Sequence, residues 1–207
     1  HSALAHMGEP AIDCAVCAMY KGASRRIPRH TQGKPRDTRP GAVWHMDMIV
    51  FRDRSEEGCR YLIALTDECT QAVQLIPLYY KSDATFELRR WIKSLRSHPA
   101  LVGIHGKDYS YITKIVTDND GAWNEDNEEF QSMLNEFIDT EAKWGGPIEM
   151  QYGDPQDHAR DNARAEGMNK IIEAGIQSLL YEQNLPPSWW QRAAADVQLI
   201  ANRLCPY

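Results

Sequence analysis

Three carboxylates occupy positions where phosphoryl-transfer chemistry could use them. Asp47 stands inside an apolar run from Val43 to Phe51. A charge in such a run is costly to bury unless it is paired or bound to metal. Asp118 follows Ile-Thr-Lys-Ile-Val-Thr, where a short strand would end, and strand ends are where sheet proteins place ligand-binding groups. Glu166 falls in the first turn of a long helical pattern, close to its core-facing residues. Converging from separate elements, three carboxylates would bind hard divalent cations such as Mg²⁺ or Mn²⁺ through oxygen. Two such ions about 4 Å apart can activate an attacking oxygen and stabilise a leaving one at a phosphate, with no separate base. Taken singly, each acid has an ordinary structural alternative. A strand-end Asp often forms a turn, and a first-turn Glu often serves the helix dipole.

A second cluster lies at the start of the chain. His1, His6, Cys14 and Cys17 suit tetrahedral Zn²⁺, because a C-x-x-C pair lets both thiolates reach one ion. His30 is a rival ligand, since C-x-x-C followed at a distance by His is also finger-like. The alternative is a pair of free thiols. The five cysteines are odd in number and scattered beyond this pair, which points to a reducing, intracellular compartment rather than a disulfide framework.

The elements that would position these groups follow from periodicity. Val43–Phe51, Arg60–Thr66 and Gln71–Leu78 read as strands, the last two joined as a hairpin. Ser82–Ser97 has helical spacing, with Phe86, Leu88, Trp91, Ile92 and Leu95 as its apolar set and Ser82 as a cap. Ile112–Thr117 is a short strand, Glu128–Ile138 a helix, and Ile148–Gln151 a further short strand. Asn162–Glu182 is a helix whose apolar face holds Ala165, Met168, Ile172, Ile176, Leu179 and Leu180. Pro186 and Pro187 break it, and Ser188–Leu204 is the last helix, with Ser188 as its cap. The order β-β-β-α-β-α-β-α-α predicts an α/β fold: a mixed sheet flanked by helices. Residues 1–24 form the His/Cys segment, 25–41 a basic linker, and 42–207 the globular core. Both ends read as cuts through a longer polypeptide.

Composition bounds the function. The chain is 43% hydrophobic and 25% charged, with a net charge of -6. No apolar run is long enough for a membrane span. An acidic balance argues against nucleic-acid binding taken alone. The basic residues, however, gather from Lys21 to Arg39, where Asp37 is the only acid, and part of the acidic excess could be metal ligands.

The motifs in order resemble the integrase catalytic core of retroviruses and long-terminal-repeat retrotransposons, including the Ty1/copia-like branch. WHMDMI resembles the first-Asp strand of that family, and YLIALTDECTQAVQLIPL the following hairpin with Asp67 at its turn. IVTDNDGAW resembles the segment supplying the second acid, and DNARAEGMNKIIEAGIQSLL the helix carrying the third. LPPSWWQRAAADVQLIANRLCP resembles the helix after it. The resemblance implies an RNase H-like five-stranded core with a small zinc-binding appendage, and Asp47, Asp118 and Glu166 as catalytic, magnesium-binding acids. It implies metal-dependent 3′-end processing and DNA strand transfer, the endonuclease and transferase steps of an integrase. Partners would be element-end and target DNA and further copies of the chain, at least a dimer, without a membrane. Action would be intracellular, and nuclear during integration.

Asn162 and Asn169 flank Glu166 and would orient it or contact DNA; capping of the helix is equally open to Asn162. Lys170 matches a basic position that touches the element's DNA end in retroviral relatives. Arg25 and Arg26 in the linker would hold phosphates, contacts that position without specifying sequence. The spacing from Asp118 to Glu166 exceeds the retroviral one, which leaves Glu149, Asp154, Asp157 and Asp161 as rivals for the third acid. Asp120 stands where the family usually has glycine. The same acids would serve a nuclease or transposase of this fold, and an inactive core could persist as an assembly module. Trp189 and Trp190 are candidates for a dimer contact.

Overall fold

The computed structural model describes residues 39–96, 112–118, 122–123, 126–138, 147–152 and 163–204. The expected zinc segment with His1, His6, Cys14 and Cys17, the rival His30, and most of the linker, with Arg25 and Arg26, lie outside the described residues. So do Asp120, Asp154, Asp157, Asp161 and Asn162.

Alternation along the first strand sets the architecture. In β1 (Val43–Val50), Trp44 and Met46 pack into one hydrophobic cluster, while Ile49 packs into another on the opposite face. Successive strand side chains point to opposite faces, so β1 is covered on both sides. β2 (Tyr61–Asp67) pairs antiparallel with β1, and β3 (Val73–Leu78) antiparallel with β2. β4 (Lys114–Thr117) and β5 (Glu149–Tyr152) add in parallel on the other side of β1. The result is a mixed five-stranded sheet of order β3-β2-β1-β4-β5.

Among the described residues, four α-helices cover it. α1 (Ala84–Arg96) and α2 (Glu128–Ile138) share the Trp44 face, where Leu88, Ile92, Phe130 and Phe137 are buried. α3 (Ala163–Glu182) and α4 (Trp190–Leu204) share the Ile49 face through Ile172, Ile176, Leu180, Trp190 and Val197. α3 and α4 approach closely at Gly175, where an added Cβ would lie 3.1 Å from a methyl of Val197. Beyond α3, Asn184, with a φ of 52 and bonds from Asn184 N to the Tyr181 carbonyl and from Leu185 N to the Leu180 carbonyl, forms a left-handed C-terminal cap.

Several sequence expectations need correction. Ser82 does not cap α1: it lies within a 3₁₀ turn, Lys81–Asp83, and Asp83 accepts a hydrogen bond from the Tyr80 N–H that precedes it. Ser188 likewise lies inside the 3₁₀ turn Pro187–Trp189 before α4. Phe86 is 56% exposed, because the buried face of α1 is Ala84, Thr85, Leu88, Ile92 and Arg96. Arg96, on the same buried face, donates to the Ile112 carbonyl at 2.8 Å and lies over the Phe137 ring. Burial pushes its guanidinium down to about 10. Trp190 is buried and stacked on Phe51 at 4.0 Å, with its indole donating to the Asp53 carbonyl. It is therefore a core residue and unavailable for a dimer contact.

The β3 edge is closed by side chains. Asn202 accepts from the Val73 N–H and donates to the Val73 carbonyl, and Gln198 accepts from the Leu75 N–H at 2.6 Å. These two amides sit one turn apart on α4. Pro77, the next outward-facing position, has no N–H to satisfy. An uncovered edge is a template for strand addition. In a Gln198→Leu/Asn202→Leu variant the Val73 and Leu75 amides should exchange hydrogen at least about tenfold faster, the effect of losing roughly 1.4 kcal/mol per bond. Unchanged exchange at both amides would show that α4 does not hold this edge.

Candidate active site

The register places the first two acids side by side. Met46 pairs with Thr117 in the parallel β1–β4 ladder, so Asp47 and Asp118 occupy the next matched position, one residue past the end of β4. Neighbouring strands are roughly 4.8 Å apart. Asp47 alternates onto the face covered by α3 and α4, the same face as Ile49.

Each aspartate is held by specific donors. The Met48 N–H donates to Asp47 Oδ1, and Asn169 Nδ2 donates to Asp47 Oδ2, both at 2.7 Å. Asp118 Oδ1 accepts from Thr117 Oγ1 and from Trp123 Nε1, each at 3.4 Å. Both donors are fully buried. Asp118 Oδ2 accepts no hydrogen bond from another described residue.

Glu166, the expected third acid, lies on α3. Leu180, Ile176 and Ile172 step along the sheet-facing side of this helix. Asn169 continues that stripe to Asp47, and Glu166 lies one turn further toward the helix start. Glu166 is exposed and makes no hydrogen bond or ion pair with another described residue. Lys170, one turn after it, is exposed and equally unpaired among the described residues. The structure therefore brings Asp47, Asp118 and Asn169 together and sets Glu166 on the adjoining turn. Among the described residues no three His, Cys, Asp or Glu side chains are drawn into one metal-sized cluster.

Glu149 sits at the opposite end of the parallel ladder. It pairs with Lys114, where β4 and β5 begin, and their side chains form an ion pair of 3.0 Å. Four residue steps along the strand, about 13 Å, separate that end from Asp118. Among the described rivals this geometry favours Glu166.

Two contacts were not legible as such in the sequence. Asn169 reads there as a partner of Glu166 or of DNA, whereas it bonds Asp47. Its position one turn after Glu166, on the core-facing side, was the available signal. Asp67 reads as a turn residue, whereas it is 1% exposed and accepts from the Gly41 N–H, the Thr70 N–H and the Thr70 hydroxyl. It ties the β2–β3 turn to the segment leading into β1.

No family model matches the chain, and no curated protein matches it in sequence. Solved structures do match. A chain in the cryo-electron microscopy structure of the simian T-cell lymphotropic virus intasome in complex with PP2A regulatory subunit B56 gamma aligns with a TM-score of 0.58 at 19% identity, over 92% of this chain and 58% of that one. The HTLV-2 integrase catalytic core domain in complex with magnesium aligns in its trimeric form with a TM-score of 0.53 at 19% identity, over 80% of this chain and 88% of that one. Its dimeric form gives 0.50 at 18%, over 80% and 89%. The likeness establishes the fold, that of the RNase H-like catalytic cores of retroviral integrases. This chain spans 58% of the length of the intasome chain it matches.

Proposed function

We propose that this chain is the catalytic core of a retroelement integrase, a polynucleotidyl transferase that processes 3′ DNA ends and joins them to target DNA with divalent metal. The observation that carries the reading is the shared site: Asp47 and Asp118 in matched positions on parallel strands, with the helix of Glu166 fastened to Asp47 through Asn169. Fold alone would leave the chemistry open. Two aspartates on neighbouring strands, with a glutamate on the adjoining helix, narrow it.

The donor set suits Mg²⁺ or Mn²⁺, which take oxygen ligands and tolerate water in the remaining positions. Asp47, Asp118 and Glu166 would hold the ions. When bound, they would polarise the phosphate and neutralise charge on the attacking and leaving oxygens. Asn169 fixes the rotamer of Asp47, a role typical of groups behind metal ligands. Asp118 presents Oδ2 while Oδ1 is held from the core side. Glu166, exposed and without a partner among the described residues, would turn toward the aspartates. Lys170 offers its ammonium to a phosphate as a point charge. Water would attack a phosphodiester near the element's end, and the freed 3′ hydroxyl would then attack target DNA, both as in-line displacements.

The remaining parts of the proposal extend from the family resemblance. His1, His6, Cys14 and Cys17 would hold Zn²⁺, with His30 as the alternative to His1. Arg25, Arg26 and Asn162 would contact DNA. Paired end joining calls for at least a homodimer, and integration places the protein in the nucleus. Among the described residues no helix is long and apolar enough to cross a membrane.

The direct test incubates the chain with labelled DNA ends and a target duplex in Mg²⁺ or Mn²⁺. Joined products are expected from the parent and not from Asp47→Asn. Equal joining by the two proteins would refute the assignment.

A further inference from the structure

The indole of Trp123 is buried with its ring in the hydrophobic cluster between the sheet, α1 and α2, on the face opposite α3. A buried indole N–H normally finds a partner. Here its partner among the described residues is Asp118 Oδ1, at 3.4 Å. The Thr117 hydroxyl, also fully buried, reaches the same oxygen at the same distance. Two donors rooted in the core therefore converge on one oxygen of Asp118, and the other oxygen accepts nothing from the described residues.

We infer that Trp123 is a positioning residue for Asp118: its indole N–H turns the carboxylate so that Oδ2 faces the ion or phosphate. The inference rests on the reading of Asp118 as a metal-binding acid. A carboxylate one residue past the end of a strand has a free χ1 rotation unless something holds it. Asp47 is held on both oxygens by short bonds, whereas Asp118 depends on two long ones. At 3.4 Å the indole bond is weaker than an ordinary N–H···O bond. Its contribution is a bias among rotamers, which preorganises the site and reduces the ordering that a ligand must impose. The ring supplies packing, and the N–H supplies the orientation. A phenylalanine at this position would keep most of the first and lose the second.

The test uses the indole N–H resonance of Trp123 in ¹⁵N-labelled protein, assigned by through-bond correlation. Without metal, Asp118→Ala should move this resonance upfield and speed its exchange with solvent, while the other indole resonances stay in place. In the parent, added Mg²⁺ should move the same resonance, since ligation draws charge from Asp118. Trp123→Phe should raise the dissociation constant for Mn²⁺ about three- to tenfold, below the full effect of losing a group behind a metal ligand because the bond is long. Trp189→Phe, remote in the fold beside α4, should leave Mn²⁺ affinity unchanged. A Trp123 resonance indifferent to Asp118→Ala overturns the inference. So does a folded Trp123→Phe variant that binds Mn²⁺ as tightly as the parent. Should the resonance respond to Asp118→Ala while Mg²⁺ perturbs no resonance of the parent, the contact stands and the metal-site reading fails.

Discussion

Replacing Asp67 with alanine should destabilise the protein by about 3–5 kcal/mol, seen as a fall in the urea midpoint without a change in slope. The carboxylate is 1% exposed and serves three donors: Gly41 N–H at 2.9 Å, Thr70 N–H at 2.8 Å and the Thr70 hydroxyl at 2.6 Å. Alanine would leave the two backbone N–H groups without their acceptor, at about 1–3 kcal/mol each. The turn that Asp67 organises is already demanding, since Gln71 adopts a φ of 63. The Asp67 carbonyl accepts from the Gln71 N–H, and the Glu68 N–H bonds the Val43 carbonyl at the start of β1. The loss would thus propagate to the strand carrying Asp47. Asp67→Asn keeps the shape and one acceptor oxygen and should cost less than half as much. An alanine variant within 1 kcal/mol of the parent, on the order of an ordinary surface change, would show that the carboxylate does not bind the hairpin to β1.

The second large effect is on catalysis. Asp47→Asn, Asp118→Asn and Glu166→Gln should each lower strand transfer by at least about a thousandfold, roughly 4 kcal/mol of transition-state stabilisation. Asp47 and Glu166 are half-buried and exposed respectively, so little packing is lost, and the thermal midpoints should change little. Amides are nearly isosteric with the acids but carry no charge, so they remove the attraction for a divalent ion while keeping the volume. Lys170→Ala should be milder, about tenfold or less, because a single phosphate contact contributes through position. Glu149→Gln, at the opposite end of the β4–β5 ladder in its ion pair with Lys114, should leave the rate unchanged. A Glu166→Gln variant with parental rates would remove Glu166 from the mechanism.

The sequence made much of this fold readable because its strongest signals are periodic. The apolar run from Val43 to Phe51 marked β1 as a strand with Asp47 inside it. The long repeat of Ile172, Ile176 and Leu180 located α3. A mixed sheet flanked by helices followed from the order of elements, whereas the strand order and the parallel pairing of β4 with β1 and of β5 with β4 did not. Boundaries were less secure, because 3₁₀ turns at Lys81–Asp83 and Pro187–Trp189 displaced both serine caps.

What resisted reading were contacts between side chains distant in sequence. Arg96 is buried at the end of its helix, where it meets Ile112 and Phe137 from other elements, a meeting that the helix's own pattern does not report. Phe86 looks apolar and therefore internal, yet it faces outward. Asn169 and Trp123 were visible as residue types near acids, but periodicity does not report which oxygen a donor reaches. The adjacency of Asp47 and Asp118 is a matter of register between strands far apart in the chain, and register is set by tertiary pairing.

The central claim is that Asp47, Asp118 and Glu166 form a divalent-metal site. Calorimetric titration of Mg²⁺ and Mn²⁺ into the parent and into Asp118→Asn, with and without duplex DNA, tests it most directly. The account predicts binding by the parent that disappears in the variant. Equal binding by both proteins, or none by the parent even with DNA present, would contradict it and leave a core that binds or assembles without this chemistry.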